Sequence, residues 1–417
     1  MSARQSDGSD HALCSECAED LFLKKHIEEE GEKLTCSECG EDTHPALDVD
    51  ALAAFIEPHM MEHFQQGVSY GHEEQSGDPM SYAVQEVLGQ YVSFEDELVE
   101  AVVRSEDYDP RDGDSPFWDD TSNYVPTRVG TGHLHAKWQY TLQELKHTRR
   151  FFSTEAQELF TWLFSSVDDL KSFDDNGSVV SELPMGTQLF RARVCGGGDL
   201  LKQMYSEPLK HVGPPPDQAA RAGRMNAEGV SVLYGALDFE TCLAEMRPAI
   251  ANELVVITLT TTRPLRVLDF SRLDRARSGK ALSYFQPDFS DEVERALFLR
   301  QLHRLIAQPI VPGHESDYLI TQTMAEFLAH VVKNPFDGIL FKSTQKNEGV
   351  NLVIFPQKKD WLDPTTQQKF GIDYVEDSIK LYKTQSVAYI HSEVSVFLDS
   401  GDVYKYDDHD DVDLEDY

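Results

Sequence analysis

Two C-x2-C pairs near the amino terminus constrain the fold more than any other feature of the sequence. They stand in "CSECAEDLFLKKHIEEEGEKLTCSEC" and consist of Cys14, Cys17, Cys36 and Cys39. Each pair places two thiolates on one side of a turn, and two pairs complete a tetrahedral zinc site with Zn–S distances of about 2.3 Å. Four thiolates leave no open coordination position, so we predict a structural zinc in a small ribbon over residues 1–48. Redox pairs and disulfides are the alternatives, and both are disfavoured in an intracellular chain.

The chain is strongly acidic. Its 417 residues include 37 Lys and Arg against 73 Asp and Glu, a formal net charge of −36. Nucleic acids and anionic membranes require basic surface, so this charge argues against broad binding to either. A few local arginines can still hold a small anionic ligand. The sequence shows no signal peptide and no apolar run long enough to span a membrane, so we expect a cytoplasmic protein.

The acidic residues concentrate at the carboxyl end, in "GDVYKYDDHDDVDLEDY". Like charges at this density repel one another and resist burial, so we predict a disordered acidic tail over residues 399–417. A solubilising tail and a partner-binding tail are both compatible with this composition.

Residues 49–178 show the pattern of amphipathic helices. Apolar residues recur three and four positions apart in "ALAAFIEPHMMEHF", "LHAKWQYTLQELKHTRRFF" and "STEAQELFTWLFSSV", while strand patterning is nearly absent. We therefore predict an all-α domain attached to the zinc ribbon. The run "NGSVVSELPMGT" marks its junction with the next domain.

The pattern changes to α+β over residues 179–398. Short runs rich in β-branched and aromatic residues, such as "TQLFRARV", "ELVVITLT" and "VNLVIF", alternate with helical patterns such as "DFETCLAEMR" and "YLITQTMAEFLAHVV". Near the end of this region, "DSIKLYKTQSVAYIHSEVSVFL" predicts a terminal hairpin. The predicted fold class is therefore multidomain α+β: a zinc ribbon, an all-α domain and an α+β domain.

Polar side chains gather around the predicted strands of the α+β domain. The candidates are Arg191, Arg193, Arg224, Asn226, Gly229, Tyr234, Glu245, Ser343 and Asn351. An arginine on a strand can hold a phosphate with its planar fork of donors. A tyrosine can stack on an aromatic ring, and a carboxylate can stabilise positive charge. The structural alternatives are an ion pair of Glu245 with Arg247 or Arg224 and a core position for Tyr234.

In order and spacing, "LFRAR", "GRMNAEGVSVLYGALDFETCLAE", "YLITQTMAEFL" and "FDGILFKSTQKNEGVNLVIF" resemble the RES-domain family over about residues 183–355. The resemblance implies an ADP-ribosyltransferase-like fold, the toxin half of a toxin–antitoxin pair, and NAD as the substrate that is degraded. The region before it is similar to the HEPN/RES N-terminal domain that accompanies some RES domains.

By this resemblance, the catalytic residues of the family fall on Arg191, Tyr234, Glu245 and Ser343. The second family arginine falls on Arg224, and we assign Asn226, Gly229 and Asn351 to substrate binding with it. Two departures from the family stand out. The insert "CGGGDLLKQMYSEPLKHVGPPPDQAARA" is long and is interpreted as a lid, and Met225 stands where an aromatic residue is common.

The reaction implied is cleavage of the bond between nicotinamide and ribose, with water or phosphate as the acceptor. Its transition state is oxocarbenium-like, so a fixed carboxylate at Glu245 stabilises it. Two alternatives stay open: transfer of ADP-ribose to a macromolecule, and a non-enzymatic module in which the zinc ribbon recruits a partner. The presence of all four family residues favours an enzyme.

The resemblance also implies a protein partner, either a small antitoxin or another regulatory protein, and we expect a homo-oligomer. The helical domain raises one further possibility, because HEPN ribonucleases use an R-x4-6-H motif. "RVGTGH" supplies Arg128 and His133 at that spacing, but its two glycines disfavour a helix. We therefore expect no ribonuclease site there.

Overall fold

The structure is a computed structural model that describes residues 11–70, 75–106, 116–119, 121–278, 281–307, 315–357, 369–387, 395–399 and 402–406. The chain divides into two compact units, and each is described by itself. The first unit comprises residues 1–182, 222–227 and 266–339, and the second comprises residues 183–221, 228–265 and 340–417.

The described residues contain helices and short strands in alternation. The helices are α1 (Leu21–Glu30), α2 (Val49–His63), α3 (Met80–Leu88), α4 (Glu95–Ser105), α5 (Gly132–His147), α6 (Thr154–Leu163), α7 (Gly198–Ser206), α8 (Pro208–His211), α9 (Phe239–Glu245), α10 (Phe270–Leu273), α11 (Phe289–Ala307) and α12 (Leu319–His330). Among these described helices, none is both long enough and apolar enough to cross a membrane.

The strands are β1 (Ala12–Cys14), β2 (Glu32–Lys33), β3 (Pro45–Asp48), β4 (Phe64–Gln66), β5 (Asp78–Pro79), β6 (Asn123–Pro126), β7 (Leu170–Ser172), β8 (Val180–Leu183), β9 (Gln188–Cys195), β10 (Leu233–Ala236), β11 (Glu253–Thr261), β12 (Leu265–Asp269), β13 (Ala276–Ser278), β14 (Gly338–Lys342), β15 (Val350–Ile354), β16 (Ile372–Tyr374), β17 (Lys380–Lys383), β18 (Ser395–Asp399) and β19 (Asp402–Tyr406). The runs quoted as strands of the α+β region coincide with β9, β11 and β15 to within one residue at each end. The fold is therefore mixed α and β, as the pattern predicts.

A helix separates the two cysteine pairs. Asp20 caps the amino end of α1 by accepting hydrogen bonds from the backbone amides of Phe22 and Leu23, which satisfies donors that the first helical turn leaves unpaired. Leu23 and Ile27 are buried on one face. The flanking strands form a small antiparallel sheet in the order β1-β3-β2, so the region is larger than a simple ribbon.

Apolar packing continues across the predicted boundary at residue 48. Leu13 and Leu23 belong to the same buried cluster as Leu52, Val84 and Leu98 of α2, α3 and α4. Since the side chains on both sides of the boundary share one core, the amino-terminal segment and the helices after it fold against each other.

The prediction of an all-α region over residues 49–178 needs correction. Strands β4, β6 and β5 form a three-stranded antiparallel sheet in that order, and β7 pairs with β13. These strands are only two to four residues long, too short to show a period of two in the sequence.

Residues 266–339 pack in the first unit, although their sequence pattern placed them in the α+β domain. Trp138 of α5 lies with its ring centroid 5.7 Å from that of Phe298 of α11. Phe160 of α6 lies 5.8 Å from Phe327 of α12 in the same measure. Periodicity reveals that a helix buries one face, but it does not reveal the partner of that face.

The second unit is built on an antiparallel core of strands. They lie in the order β16-β11-β9-β10-β15-β14, and β17 also pairs with β11. The longest strand pairing of this sheet joins β9 to β11, where Arg191 lies opposite Ile257 and Arg193 opposite Val255. This pairing fixes both arginines on one face of the sheet, because alternate residues of a strand share a face.

The carboxyl end differs from the prediction. The segment interpreted as one hairpin supplies β17, which pairs with β11, and most of β18, which forms a hairpin with β19 instead. Since β19 covers Asp402–Tyr406, the prediction of disorder from residue 399 is wrong for these five residues. The rest of the predicted acidic tail, 407–417, lies outside the described residues.

Candidate active site and metal centre

Glu245 is the last residue of α9, and its side chain is exposed. Asp238 caps the amino end of the helix, and its side chain accepts a hydrogen bond from the backbone amide of Thr241 over 2.8 Å. Its apolar face packs on the sheet through Cys242, which shares a buried cluster with Ala192 and Ala236. A short capped helix thus presents one carboxylate at its carboxyl end.

Two side chains from another part of the chain hold this carboxylate. The Ser343 hydroxyl and the Asn351 amide each donate a hydrogen bond to Oε1 of Glu245 over 2.6 Å. Asn351 is buried on β15, opposite Ala236 of β10. The structure therefore brings together three of the residues that the sequence singled out.

Ser343 itself is locked in a turn. Its hydroxyl oxygen accepts hydrogen bonds from the backbone amides of Gln345 over 3.0 Å and Lys346 over 3.2 Å. Its own amide donates to the carbonyl of Gly349 over 2.7 Å. Since both acceptor sites of the hydroxyl are in use, its proton points to Glu245.

Arg191 and Tyr234 are joined through the backbone. One guanidinium nitrogen of Arg191, Nη1, donates to the carbonyl of Tyr234, and Nε donates to the carbonyl of Val212 over 2.8 Å. Burial and, to a lesser extent, the positive charge of Arg193 lower the pKa of Arg191 to about 10. Arg191 therefore stays positively charged at neutral pH, and these two bonds use two of its five donors.

The long insert is bound to the strand that carries the arginines. Arg193 donates to the carbonyl of Gly213 over 3.4 Å, next to the Val212 carbonyl that Arg191 contacts. At the other end of the insert, the amide of Gly229 donates to the carbonyl of Ala220 over 3.0 Å. Gly229 has a φ of +82°, a left-handed conformation that glycine adopts without strain.

Arg224 and Asn226 belong to the first unit. Arg224 donates from Nη1 to the carbonyl of Ile306 over 3.0 Å, and its own carbonyl accepts from the Thr321 hydroxyl over 2.7 Å. Asn226 is buried, and its side chain donates to the carbonyl of Ala227 over 3.1 Å. Their assignment to substrate binding stays a prediction.

The surroundings of Glu245 and Tyr234 bear on the two structural alternatives, an ion pair with Arg247 and a core position. Among the described residues, the hydrogen bonds of the Glu245 carboxylate come from Ser343 and Asn351, and no ion pair with Arg247 is formed. Tyr234 is half-buried, not a core residue. Thr241 is buried, and its hydroxyl donates to Asp238 over 2.5 Å.

Two residues that tie α9 to the turn carrying Ser343 were not singled out from the sequence. Lys346 forms an ion pair with Asp238 over 2.9 Å, so the turn after β14 is tied to the start of α9. The cap residue was detectable, because Asp followed by a helical run is a recognised helix start. Lys346 had no local signal, since its partner lies 108 residues away in the chain.

The four amino-terminal cysteines form one cluster. Their sulfur atoms all lie within 4.8 Å of one another, and Cys14 Sγ is 3.9 Å from Cys39 Sγ. A tetrahedral site with Zn–S distances of about 2.3 Å places the sulfurs about 3.8 Å apart. The donor set and its spacing therefore fit a metal ion such as zinc.

Backbone amides favour the thiolate form at one of these positions. Burial raises the pKa of the Cys36 thiol, but the amides of Cys39, Cys14 and Glu38 outweigh burial and lower it to about 7. Burial raises the pKa of Cys14 and Cys17, and a bound cation offsets such a cost by stabilising thiolates.

The cysteine pairs also hold the loop between α3 and α4. Gln90 donates to the carbonyl of Cys17 over 3.0 Å. Glu38, between the second pair of cysteines, accepts from the amide and the hydroxyl of Ser93 over 2.7 and 2.8 Å. The cysteine pairs are thus tied by hydrogen bonds to a loop outside the cluster.

The R-x4-6-H spacing does not produce a nuclease-like helix face. Arg128 lies before α5 in an irregular segment, and His133 is the second residue of that helix. His133 Nδ1 lies 3.6 Å from a carboxylate oxygen of Glu294. Helix α5 thus begins at Gly132, within the segment where the glycines disfavoured a helix, and the expectation of no ribonuclease site stays a prediction.

Comparison with known families identifies a RES domain at residues 189–373. Arg191, Tyr234, Glu245, Ser343 and Asn351 all lie within this match, which agrees with the resemblance described above. The similarity of the preceding region to a HEPN/RES N-terminal domain stays a prediction. Neither the curated proteins nor the solved structures include a match to this chain.

Proposed function

We propose that this protein degrades NAD by cleaving the bond between nicotinamide and ribose, as a glycohydrolase or a phosphorylase. One observation carries the proposal: within the RES domain, Ser343 and Asn351 fix one oxygen of the exposed Glu245 carboxylate with hydrogen bonds of 2.6 Å each. A carboxylate that is fixed and accessible is what a developing ribosyl cation requires.

In the proposed reaction, the bond between C1′ of the ribose and the ring nitrogen of nicotinamide breaks. The bonding electrons leave with nicotinamide, which becomes neutral, and C1′ becomes an oxocarbenium ion. The negative charge of Glu245 stabilises this ion. A water or phosphate oxygen then bonds to C1′, and any proton released passes to solvent.

The hydrogen bonds to Glu245 support this role because both meet at Oε1. Neither Ser343 nor Asn351 contacts Oε2 among the described contacts, so both donors hold the carboxylate through one oxygen. Preorganisation of this kind avoids reorganisation as charge develops.

Arg191 and Arg193 are proposed to bind the pyrophosphate of NAD. They alternate on β9 and so share one face of the sheet. Both arginines are half-buried, and burial lowers the pKa of each; charges in such surroundings interact more strongly than those in water. Tyr234 is proposed to stack on an aromatic ring of the substrate.

The cysteine cluster is proposed to hold a structural zinc without a part in the reaction. All four donors are thiolates, which leave no position for substrate. In the cell, the proposed activity suits a toxin or defence effector that an antitoxin or another regulatory protein restrains. That partner and a homo-oligomeric state remain predictions from the sequence.

The test is incubation of the purified chain with NAD, with and without inorganic phosphate, and identification of the products by chromatography and mass spectrometry. Nicotinamide with ADP-ribose indicates a glycohydrolase, and nicotinamide with phosphorylated ADP-ribose indicates a phosphorylase. ADP-ribose attached to added protein or nucleic acid supports a transferase instead. Absence of nicotinamide release from folded protein contradicts all three.

A matched pair of variants distinguishes NAD cleavage by this protein from cleavage by a contaminating enzyme. Glu245→Gln removes the charge at the site, while Glu240→Gln removes an exposed carboxylate on the same helix. We expect nicotinamide release to persist in the second variant and to be lost in the first.

A further inference from the structure

The residues around Glu245 form a closed ring of contacts. Asp238 caps the amino end of α9, and Glu245 is the last residue of the helix. Glu245 accepts from Ser343, and the Ser343 hydroxyl accepts from the amide of Lys346. The Lys346 ammonium returns to Asp238 over 2.9 Å. Each end of the helix is thus tied to the same turn.

The ion pair in this ring is charged across a wide range of pH. Burial raises the pKa of Asp238, but hydrogen bonds from Lys346 and Thr241 outweigh burial and lower it to about 2. The hydrogen bond to Asp238 raises the pKa of Lys346. Near neutral pH, both partners are therefore ionised.

Close packing reinforces the same connection. A side chain at Gly349 places its Cβ 2.3 Å from the Thr241 hydroxyl oxygen and 3.0 Å from its methyl group. Thr241 is buried and bonded to Asp238, so moving it away would break that hydrogen bond. The turn after β14 therefore sits directly against the first turn of α9.

We propose that Asp238 and Lys346 are positioning residues that set the orientation of the Glu245 carboxylate by tying α9 to the turn that carries Ser343. This inference rests on the proposed NAD cleavage for its effect on rate. In this proposal both residues act on Glu245 through Ser343 and the helix. A second carboxylate, that of Glu240, lies 3.7 Å from the Lys346 ammonium and forms a longer ion pair with it.

The effect is expected on turnover more than on substrate binding. Loss of the ion pair frees the turn, so Ser343 no longer holds Glu245 in one orientation. The carboxylate is needed chiefly in the transition state, so kcat falls while KM changes little. A displacement near 1 Å at such a group can reduce the rate by about 100-fold.

The experiment compares Lys346→Met, Lys346→Arg and Asp238→Asn with the full chain. Lys346→Met keeps the length of the side chain and removes its charge. We expect its kcat to fall by about 10-fold or more with KM within about 2-fold, and Lys346→Arg to recover most of the loss. Asparagine is also a good helix cap, so Asp238→Asn should fold. Because the new side chain is neutral, the ion pair with Lys346 is lost. Glu376→Gln, which removes an exposed carboxylate elsewhere in the second unit, is the control and is expected to match the unmodified chain.

Amide hydrogen exchange supplies a readout that does not depend on activity. In Lys346→Met, exchange at residues 343–349 should speed up while exchange in β11 stays unchanged. Equal exchange at residues 343–349 in Lys346→Met and the unmodified chain overturns the inference. Full kcat in folded Lys346→Met also overturns it, as does an equal loss of kcat in Lys346→Met and Lys346→Arg. If the unmodified chain releases no nicotinamide, the proposed function fails, and the exchange comparison still decides the connection between turn and helix.

Discussion

Asn351 and Glu245 are 106 residues apart in the chain, yet the amide of Asn351 lies 2.6 Å from the carboxylate of Glu245. The sheet register produces this contact, because Asn351 pairs with Ala236 and α9 begins shortly after that residue. Burial of the Asn351 amide costs free energy unless the amide is hydrogen-bonded, and Glu245 accepts one of the bonds that it requires. Glu245 therefore stabilises the fold and also presents an exposed carboxylate.

Glu245→Gln should lower kcat for NAD cleavage by about 100- to 1000-fold with little change in KM. Glutamine keeps an oxygen that can accept from Ser343 and Asn351, so the fold is retained, but the charge is lost. Steady-state kinetics of nicotinamide release measure both constants. Normal turnover by folded Glu245→Gln protein would falsify the catalytic role of this residue.

Arg191→Ala should raise KM for NAD and lower thermal stability together. The substitution removes a phosphate-binding charge and leaves the carbonyls of Tyr234 and Val212 without their donor, at a cost of about 1–3 kcal/mol. Kinetics and a melting curve report the two effects. Lys202→Ala, which removes an exposed cation of α7, is the control. An unchanged KM in Arg191→Ala would argue against pyrophosphate binding at this position.

The contribution of Asp238 to stability should depend on pH in one direction. Its pKa lies at about 2, below the ordinary value of 3.8, so the stabilisation is present above pH 3.8 and disappears as pH falls through 2. The melting temperature of the unmodified chain should exceed that of Asp238→Asn near pH 6, and the difference should shrink toward pH 2. Parallel melting curves across this range check the sign, and a difference that grows with acid contradicts it.

Gly349→Ala should destabilise the second unit and reduce NAD cleavage. The added methyl group meets the hydroxyl of Thr241 at 2.3 Å, and overpacking of this kind costs about 1–3 kcal/mol. Gly130→Ala meets no atom within 4 Å and serves as the control.

Gly349→Ala should lower the free energy of unfolding by less in a Thr241→Ala background, because the side-chain atoms of Thr241 that clash are removed. A double-mutant cycle of unfolding free energies measures this coupling. Additive effects of the two substitutions would show that the predicted clash is absent.

Cys36→Ser should abolish binding of one zinc ion per chain. Because structural zinc contributes directly to folding, we expect the amino-terminal region to lose stability. Hydrogen exchange should rise in residues 89–94, where Gln90 and Ser93 bond to the cysteine pairs. Metal analysis and exchange mass spectrometry test both points. Cys195→Ser, which alters a buried cysteine outside the cluster, should retain full zinc, and full occupancy in Cys36→Ser would overturn the ligand assignment.

The sequence by itself determined the local elements of this protein. The β-branched runs became β9, β11 and β15, and the helical patterns became α9 and α12, because side-chain periodicity is a property of neighbouring residues. The four cysteines could also be grouped into one candidate metal site by spacing alone, because each C-x2-C turn places its two sulfurs on the same side. The order of the family motifs further identified the carboxylate and the serine that now lie together.

Only the tertiary structure decided which faces meet. Residues 266–339 joined the helices of the first unit, and a strand formed at residues 402–406 inside a segment whose charge predicted disorder. The ion pair of Asp238 with Lys346 and the bonds from Arg191 to two backbone carbonyls likewise had no local signature. Such contacts depend on strand register and on the burial of apolar faces, which join residues far apart in the chain and are not encoded in the pattern of any single segment.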